Sequence, residues 1–312
     1  NQDPNTTPTA TAIVNNLTGS GYTSVPTVSF SGGVSSAGTG PVASVRVNGL
    51  LTLDGGTLRT DAVITSNRAI VIGSAGGTID TQGYSSTLSG NVNGSGNLNI
   101  GGGGKVTLSS ATNSLTGTTT IGANTTLDVS GTLSGAVQVN STGTIKGIGS
   151  VGGAITVASG GILAPGNSPG NLTLGSGLTL AGSYAWELGA LSAANPGVDF
   201  DTITVTGGTV NITDAVIQLS LGSFAPSAVS FWQTDQTWTG IINNTGVGSL
   251  TGTFAAIDNS AWAALGAFTT TNTDNDVNLV WTAAAVPEPT TGAALGLAGM
   301  LLMLHRRRAE RK

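Results

Sequence analysis

The stretch GAVQVNSTGTIKGIGSVGGAITVASGGILAPGNSPGN, Gly135 to Asn171, decides the fold class. It contains one phrase written twice. GAVQVNSTGTIKGIGSVGG (Gly135 to Gly153) and GAITVASGGILAPGNSPGN (Gly153 to Asn171) are offset by about eighteen residues. Each copy opens Gly-Ala, alternates Val or Ile with a polar residue, turns through small residues and ends in a second short apolar run. Apolar residues at every second position mark a strand with one buried face, whereas a helix needs them three and four apart over ten or so residues. Strands this short form no stable isolated hairpin sheet. They become stable when each turn of chain lays its strands on those of the turn before, which is the logic of a β-solenoid.

The same alternation runs outward from this stretch. LLTLDGGTLRT (Leu50 to Thr60), AIVIGSAGGTIDT (Ala69 to Thr81), GNLNIGGGGKVTLSS (Gly96 to Ser110) and TTTIGANTTLDVSGTLS (Thr118 to Ser134) all show it. Gly-Gly, Asn-Gly and Ser-Gly punctuate them as turns. No helical spacing appears before Ala283. Residues 50–183 therefore read as the repeat region, preceded by a polar lead over 1–49. That lead holds GSGYTSVPTVSFSGG (Gly19 to Gly33), in which Pro26 argues for an edge strand because it donates no ladder hydrogen bond; this run resembles a short β repeat of bacterial surface proteins.

Composition removes whole classes of chemistry. With no cysteine among 312 residues there is no disulfide framework, thiolate metal site or cysteine nucleophile. The single histidine, His305, lies beside the C-terminal basic cluster, which removes Ser-His-Asp hydrolysis, His-ligated zinc and facial-triad iron. Of ten basic residues, five are Arg306, Arg307, Arg308, Arg311 and Lys312, so residues 1–289 carry five basic against fourteen acidic groups. Phosphates are bound by Lys and Arg that neutralise them, and the body has no basic stripe to do so. Nucleic acid is not an expected partner.

From Gly55 to Gly182 the chain resembles the autotransporter-associated β-strand repeat family. The matching phrases are GGTIDT (Gly76 to Thr81), GSGNL (Gly94 to Leu98), GKVTLS (Gly104 to Ser109), NSLTGTTTI (Asn113 to Ile121) and ILAPGNSPGNLTL (Ile162 to Leu174). Ser114-Leu115 stands where that family usually has an aromatic after the repeat Asn. The resemblance implies a right-handed, single-stranded parallel β-helix. No outer-membrane barrel follows, so self-translocation is not expected.

At Tyr184 the composition changes. Eleven of the fourteen aromatic residues lie between Tyr184 and Trp281, including all five Trp. Residues 184–283 read as last coils, FDTITVTGGTVNITDAVIQLSL, followed by an aromatic-rich cap that blocks the open end of the solenoid. The alternative is a glycan-stacking platform built from Trp232, Trp238 and Trp262.

The tail, 284–312, contains VPEPTTGAALGLAGMLLMLHRRRAERK (Val286 to Lys312). Its fifteen uncharged residues 290–304 would span about 22 Å as a helix, short of the roughly 30 Å hydrocarbon core unless snorkelling arginines and local thinning close the gap. Arginines at Arg306, Arg307 and Arg308 act as a membrane stop on the cytoplasmic side. Pro287-Glu288-Pro289, an apolar helix and an arginine-rich end in that order resemble the PEP-CTERM sorting signal. That resemblance implies processing by an exosortase-type membrane transpeptidase, transient residence in the inner membrane, and delivery to the surface or extracellular matrix of a Gram-negative-type bacterium. Since such a signal needs prior export, a secretory leader ahead of Asn1 is expected to have been removed.

Motifs that mimic chemistry have simpler readings. GNSPG (Gly166 to Gly170) imitates a nucleophile elbow around Ser168, but Pro169 lacks the N–H an oxyanion hole needs. GIGSVG (Gly147 to Gly152) fits a dinucleotide pattern, yet the β stretch AITV follows where a helix is required. GGTIDT lacks the second glycine of a calcium nonapeptide. Asp199 with Asp201, and Asp274 with Asp276, are possible oxygen ligands for a hard cation and more often solvated loop carboxylates. A polysaccharide lyase would need clustered carboxylates; Asp54, Asp61, Asp80 and Asp128, with Arg59, Arg68, Lys105 and Lys146, are scattered along the repeats. The expectation is an exported, non-enzymatic, cofactor-free rod of roughly ten coils, about 50 Å long at the ~4.8 Å strand spacing. Its work is structural or adhesive, with polysaccharide binding as the alternative.

Overall fold

A computed structural model describes residues 50–285. The N-terminal lead before residue 50 and the sorting tail, with Pro287, Glu288, Pro289, Arg306, Arg307 and Arg308, lie outside the described residues. The described chain is all-β: short strands stacked in parallel as a β-solenoid, with two short 3₁₀ turns at Gly222–Phe224 and Ser230–Gln233. Among the described residues no helix is long and apolar enough to cross a membrane.

Each coil contributes one strand to each of three faces. The first face begins at Leu51–Leu53, the second at Gly56–Arg59 and the third at Ile64–Ser66. The second and third faces are nine-stranded sheets; the first is split into a four-stranded and a seven-stranded sheet. Nine strands at ~4.8 Å make a stack about 40 Å long.

The duplicated phrase sets the register. Val137 pairs with Ile155 and Val139 with Val157 on the second face, and Ile145 with Leu163 on the third, so the second copy lies one coil above the first, eighteen residues on. Later coils lengthen: Leu178 pairs with Val210 and Val210 with Leu250. Loops inserted between Leu188 and Phe200 and around the 3₁₀ turns take up the extra chain.

Strand alternation builds the core. Inside the second face, Ile79, Ile100, Ile121, Val139, Val157 and Leu180 form one column, each at most 1% exposed. Burying such a side chain contributes roughly 1.5–3 kcal/mol. Outside the same face a second column runs Thr57, Thr78, Asn99, Thr120, Gln138, Thr156, Thr179, Asn211 and Thr251. Every member is a hydroxyl or an amide.

Glycine is abundant because the coils turn in contact. At the corner leading into the second face, a Cβ on Gly117 would strike the Gly96 carbonyl oxygen, and one on Gly135 would strike that of Gly117. A side chain there would hold the coils apart.

The last turns depart from parallel stacking. Gln236–Asn244 pairs in parallel with Thr202–Val205 and antiparallel with Asp276–Ala283, which in turn pairs antiparallel with Gly266–Thr273. The connecting Asp274 and Asn275 both have positive φ, the geometry of a tight hairpin turn.

Candidate functional site

The aromatic residues form a buried cluster. Trp186, Trp238 and Trp281 have no exposed surface, and Trp232 is 2% exposed. Trp232 sits 5.2 Å from Trp281 and 5.9 Å from Trp238, and Phe268 lies 4.9 Å from Trp281, ring centre to ring centre. Such tilted and edge-on pairs add about 0.5–1.5 kcal/mol beyond their buried area. All five indole N–H groups are bonded within the chain. Trp186 donates to the Asp201 carbonyl at 3.0 Å, Trp232 to Phe224 at 3.1 Å and Trp238 to Ser192 at 3.0 Å. Trp281 donates to the Trp232 carbonyl at 3.0 Å, and Trp262 to Asn259 Oδ1 at 3.2 Å. This corrects the alternative of a glycan-stacking platform: Trp232 and Trp238 hold no ring face to solvent, because their rings are packed into the core. Trp262 alone of the three remains half-buried, edge-on to Phe268.

The scattered carboxylates are engaged locally. Arg59 Nε pairs with Asp61 at 3.0 Å on the exposed surface, a contact of roughly 0–1 kcal/mol. Asp54 accepts from the Ala75 N–H, and Asp80 from the N–H and side-chain amide of Gln82. Asp128 is buried, accepts from Ser130 Oγ at 2.7 Å and Asn167 Nδ2 at 3.3 Å, and has Lys105 Nζ at 3.8 Å. None of these contacts joins two carboxylates. Among the described residues no three His, Cys, Asp or Glu side chains are grouped to hold a metal ion.

Asp199 and Asp201 play different parts. Hydrogen bonds from Ser192 and Asn195 hold the Asp199 carboxyl below its ordinary range. Asp201 is 2% exposed, and its two oxygens accept from the Gly170 N–H at 2.8 Å and the Glu187 N–H at 3.0 Å. Burial pushes its pKa up to about 8, against those two hydrogen bonds, which favour the ionised form. Asp201 therefore ties the GNSPG turn to the strand Ser183–Glu187. Ser168 belongs to that turn, whose Asn167 reaches Asp128. Asp276 Oδ1 accepts from the Asn244 N–H at 2.7 Å, a strand-pairing role.

A cleft on the first face is lined by neutral polar side chains, and no motif announced it. Asn171, Thr202, Thr204 and Asn243 come from three successive strands of the first face and floor a cleft of about 240 Å³. Pro196, Thr239 and Gly240 complete its lining. Asn171 Oδ1 accepts from Thr202 Oγ1 at 3.0 Å and Thr204 Oγ1 at 2.9 Å, while Asn171 Nδ2 donates to Thr173 Oγ1 at 3.3 Å. The pairing of Gln236–Asn244 with Asp276–Ala283 shifts between Trp238 and Ile242, so Thr239 and Gly240 bulge out of the ladder. Bulges of this kind re-aim side chains beside sites. The Gly240 N–H is anchored on Asn278 Oδ1 at 2.8 Å.

No protein-family model matches this chain, and no curated protein matches it. The cleft left no signal in the sequence because Asn171 and Asn243 belong to coils separated by two loop insertions, and only the stacking register brings them together. The tryptophans did carry a signal, but it admitted two readings. Ring-rich composition indicates large buried area as readily as a binding face, and only burial distinguishes the two.

Proposed function

We propose that this chain is an exported structural protein of a bacterial cell envelope or extracellular matrix, with mechanical or adhesive work. The observation that supports this most is the uninterrupted outward column of the second face, from Thr57 to Thr251, with hydroxyls and amides at every coil and no charge. A stiff rod with such a column suits repeated weak contact with neutral polymers. The resemblance to autotransporter-associated repeats favours a right-handed β-helix. The buried aromatic cluster, to which the hairpin Gly266–Ala283 contributes Phe268 and Trp281, is suited to capping the stack by covering core that an open last coil would expose.

The tail supplies the address. In this reading residues 290–304 occupy the inner membrane transiently, Arg306–Arg308 stop transfer, and an exosortase-type transpeptidase acts near Pro287-Glu288-Pro289. The test is the location of tagged protein with and without residues 306–312. Full-length protein reaches the envelope or medium, and the truncated form accumulates in the cell. Identical secretion of both forms would remove the sorting role.

A further inference from the structure

We infer that the cleft over Asn171, Thr202, Thr204 and Asn243 binds one neutral sugar unit of a polysaccharide chain. This deepens the adhesive reading above and rests on it only for where the ligand is met.

The chemistry of the lining selects the ligand class. No lining side chain is charged. A uronate, sulfate or phosphate would find no cation to replace its water, and an ammonium group would find no carboxylate. What the lining offers is a mixture of donors and acceptors, as a row of sugar hydroxyls requires, since each hydroxyl both donates and accepts. Thr202 and Thr204 spend their hydroxyl protons on Asn171 Oδ1, which leaves their lone pairs as acceptors of known direction. Asn243 stands beside Thr204 in register, and neither it nor Thr239 makes a side-chain hydrogen bond among the described residues, so both keep their donors and acceptors for a ligand. Pro196 adds a saturated ring, a surface for the C–H face of a pyranose.

Size and rigidity agree with one unit. A volume of about 240 Å³ equals that of roughly eight liquid waters, enough for one sugar ring and its hydroxyls. The floor residues sit on strands paired on both sides, and the bulge is pinned by Asn278, so little ordering accompanies binding. A single ring exchanging ordered water for a few hydrogen bonds gives weak affinity, on the order of 1 mM, or about −4 kcal/mol.

Saturation-transfer NMR on the full-length chain tests this, in a zwitterionic detergent so that no sugar headgroup competes. The probes are cellohexaose, maltohexaose and mannohexaose, with hexagalacturonate as the acidic comparison. The expected result is transfer to at least one neutral hexasaccharide, none to hexagalacturonate, and a signal that falls about fivefold or more, the worth of one lost hydrogen bond, in Asn243→Ala. Asn243 has no side-chain partner to lose, so circular dichroism and Tm of that variant match the parent. Thr239→Val is a second, independent variant with the same expectation. Transfer to no neutral probe, equal transfer to hexagalacturonate, or transfer undiminished in both variants overturns the assignment. Protein that reaches the envelope but fails here removes only the cleft. Protein that binds but remains cytoplasmic removes only the proposed function.

Discussion

Alanine at Gly117 measures directly how closely the coils stack. A Cβ at that position meets the carbonyl oxygen of Gly96 and two further backbone atoms, the Gly96 carbonyl carbon and the Ser95 oxygen. Neither partner is a side chain that swings aside, and both are held by the ladders on either side of the corner. Forcing a methyl group into such a contact costs about 1–3 kcal/mol. Alanine also narrows the unfolded ensemble, which returns about 0.4–1 kcal/mol. Gly101 supplies the comparison: its backbone is not left-handed, and a Cβ there meets nothing within 4 Å. Gly101→Ala therefore shows the entropic gain alone. The gain cancels between the variants, leaving Gly117→Ala less stable than Gly101→Ala by about 1–3 kcal/mol. With a urea m-value of about 3 kcal/mol/M, that separates their unfolding midpoints by roughly 0.3–1 M. Coincident midpoints at equal m would refute the packing argument, because coils in contact at that corner leave no room for the added carbon.

Three further perturbations follow. Ile145→Ala empties a fully buried position of the third face and costs about 2–5 kcal/mol, read from the same urea midpoints. Asn113 is buried, accepts from the Val92 N–H at 2.8 Å and donates to the Ser110 carbonyl at 3.2 Å, so Asn113→Ala strands both groups and costs about 1–3 kcal/mol. Asp201 makes stability pH-dependent: its folded pKa of about 8 exceeds its ordinary 3.8, so the folded chain retains a proton that the unfolded chain releases. That contribution is whole below about pH 4 and disappears as pH rises through 8. Urea midpoints are expected to fall from pH 5 to pH 8.5 in the parent, and Asp201→Asn, less stable at pH 5 for want of one hydrogen bond, is expected to lose that slope.

The fold was legible wherever coil length was constant. Val137 and Ile155 announce their pairing because two coils of equal length repeat the same phrase, and inward alternation then names the core without further information. Legibility fails where loops intervene. The coil from Leu178 to Val210 and the next to Leu250 are too unequal for self-similarity to register. The antiparallel hairpin has a local signal, since Asp274-Asn275 separates two alternating runs, but ring-rich composition marks that segment only as a cap and not by its strand direction. The tryptophans show the limit of composition: Trp238 is named by its chemistry and placed only by its neighbours. The cleft is wholly tertiary, for nothing local to Asn171 or Asn243 refers to the other.

Successive coils pair in parallel, one rung apart, and the absence of native cysteine makes disulfide trapping a clean test of that register. Gln138 and Thr156 face outward on adjacent rungs of the second face, whereas Thr120 and Thr156 are two rungs apart. At ~4.8 Å per rung, only the first pair falls within the 4.4–6.8 Å Cα separation a disulfide spans. Under mild oxidation at low protein concentration, Gln138→Cys with Thr156→Cys is expected to close an intramolecular bond nearly completely, and Thr120→Cys with Thr156→Cys to leave its thiols free. Closure of the second pair in preference to the first would contradict the stacked register on which the account is built.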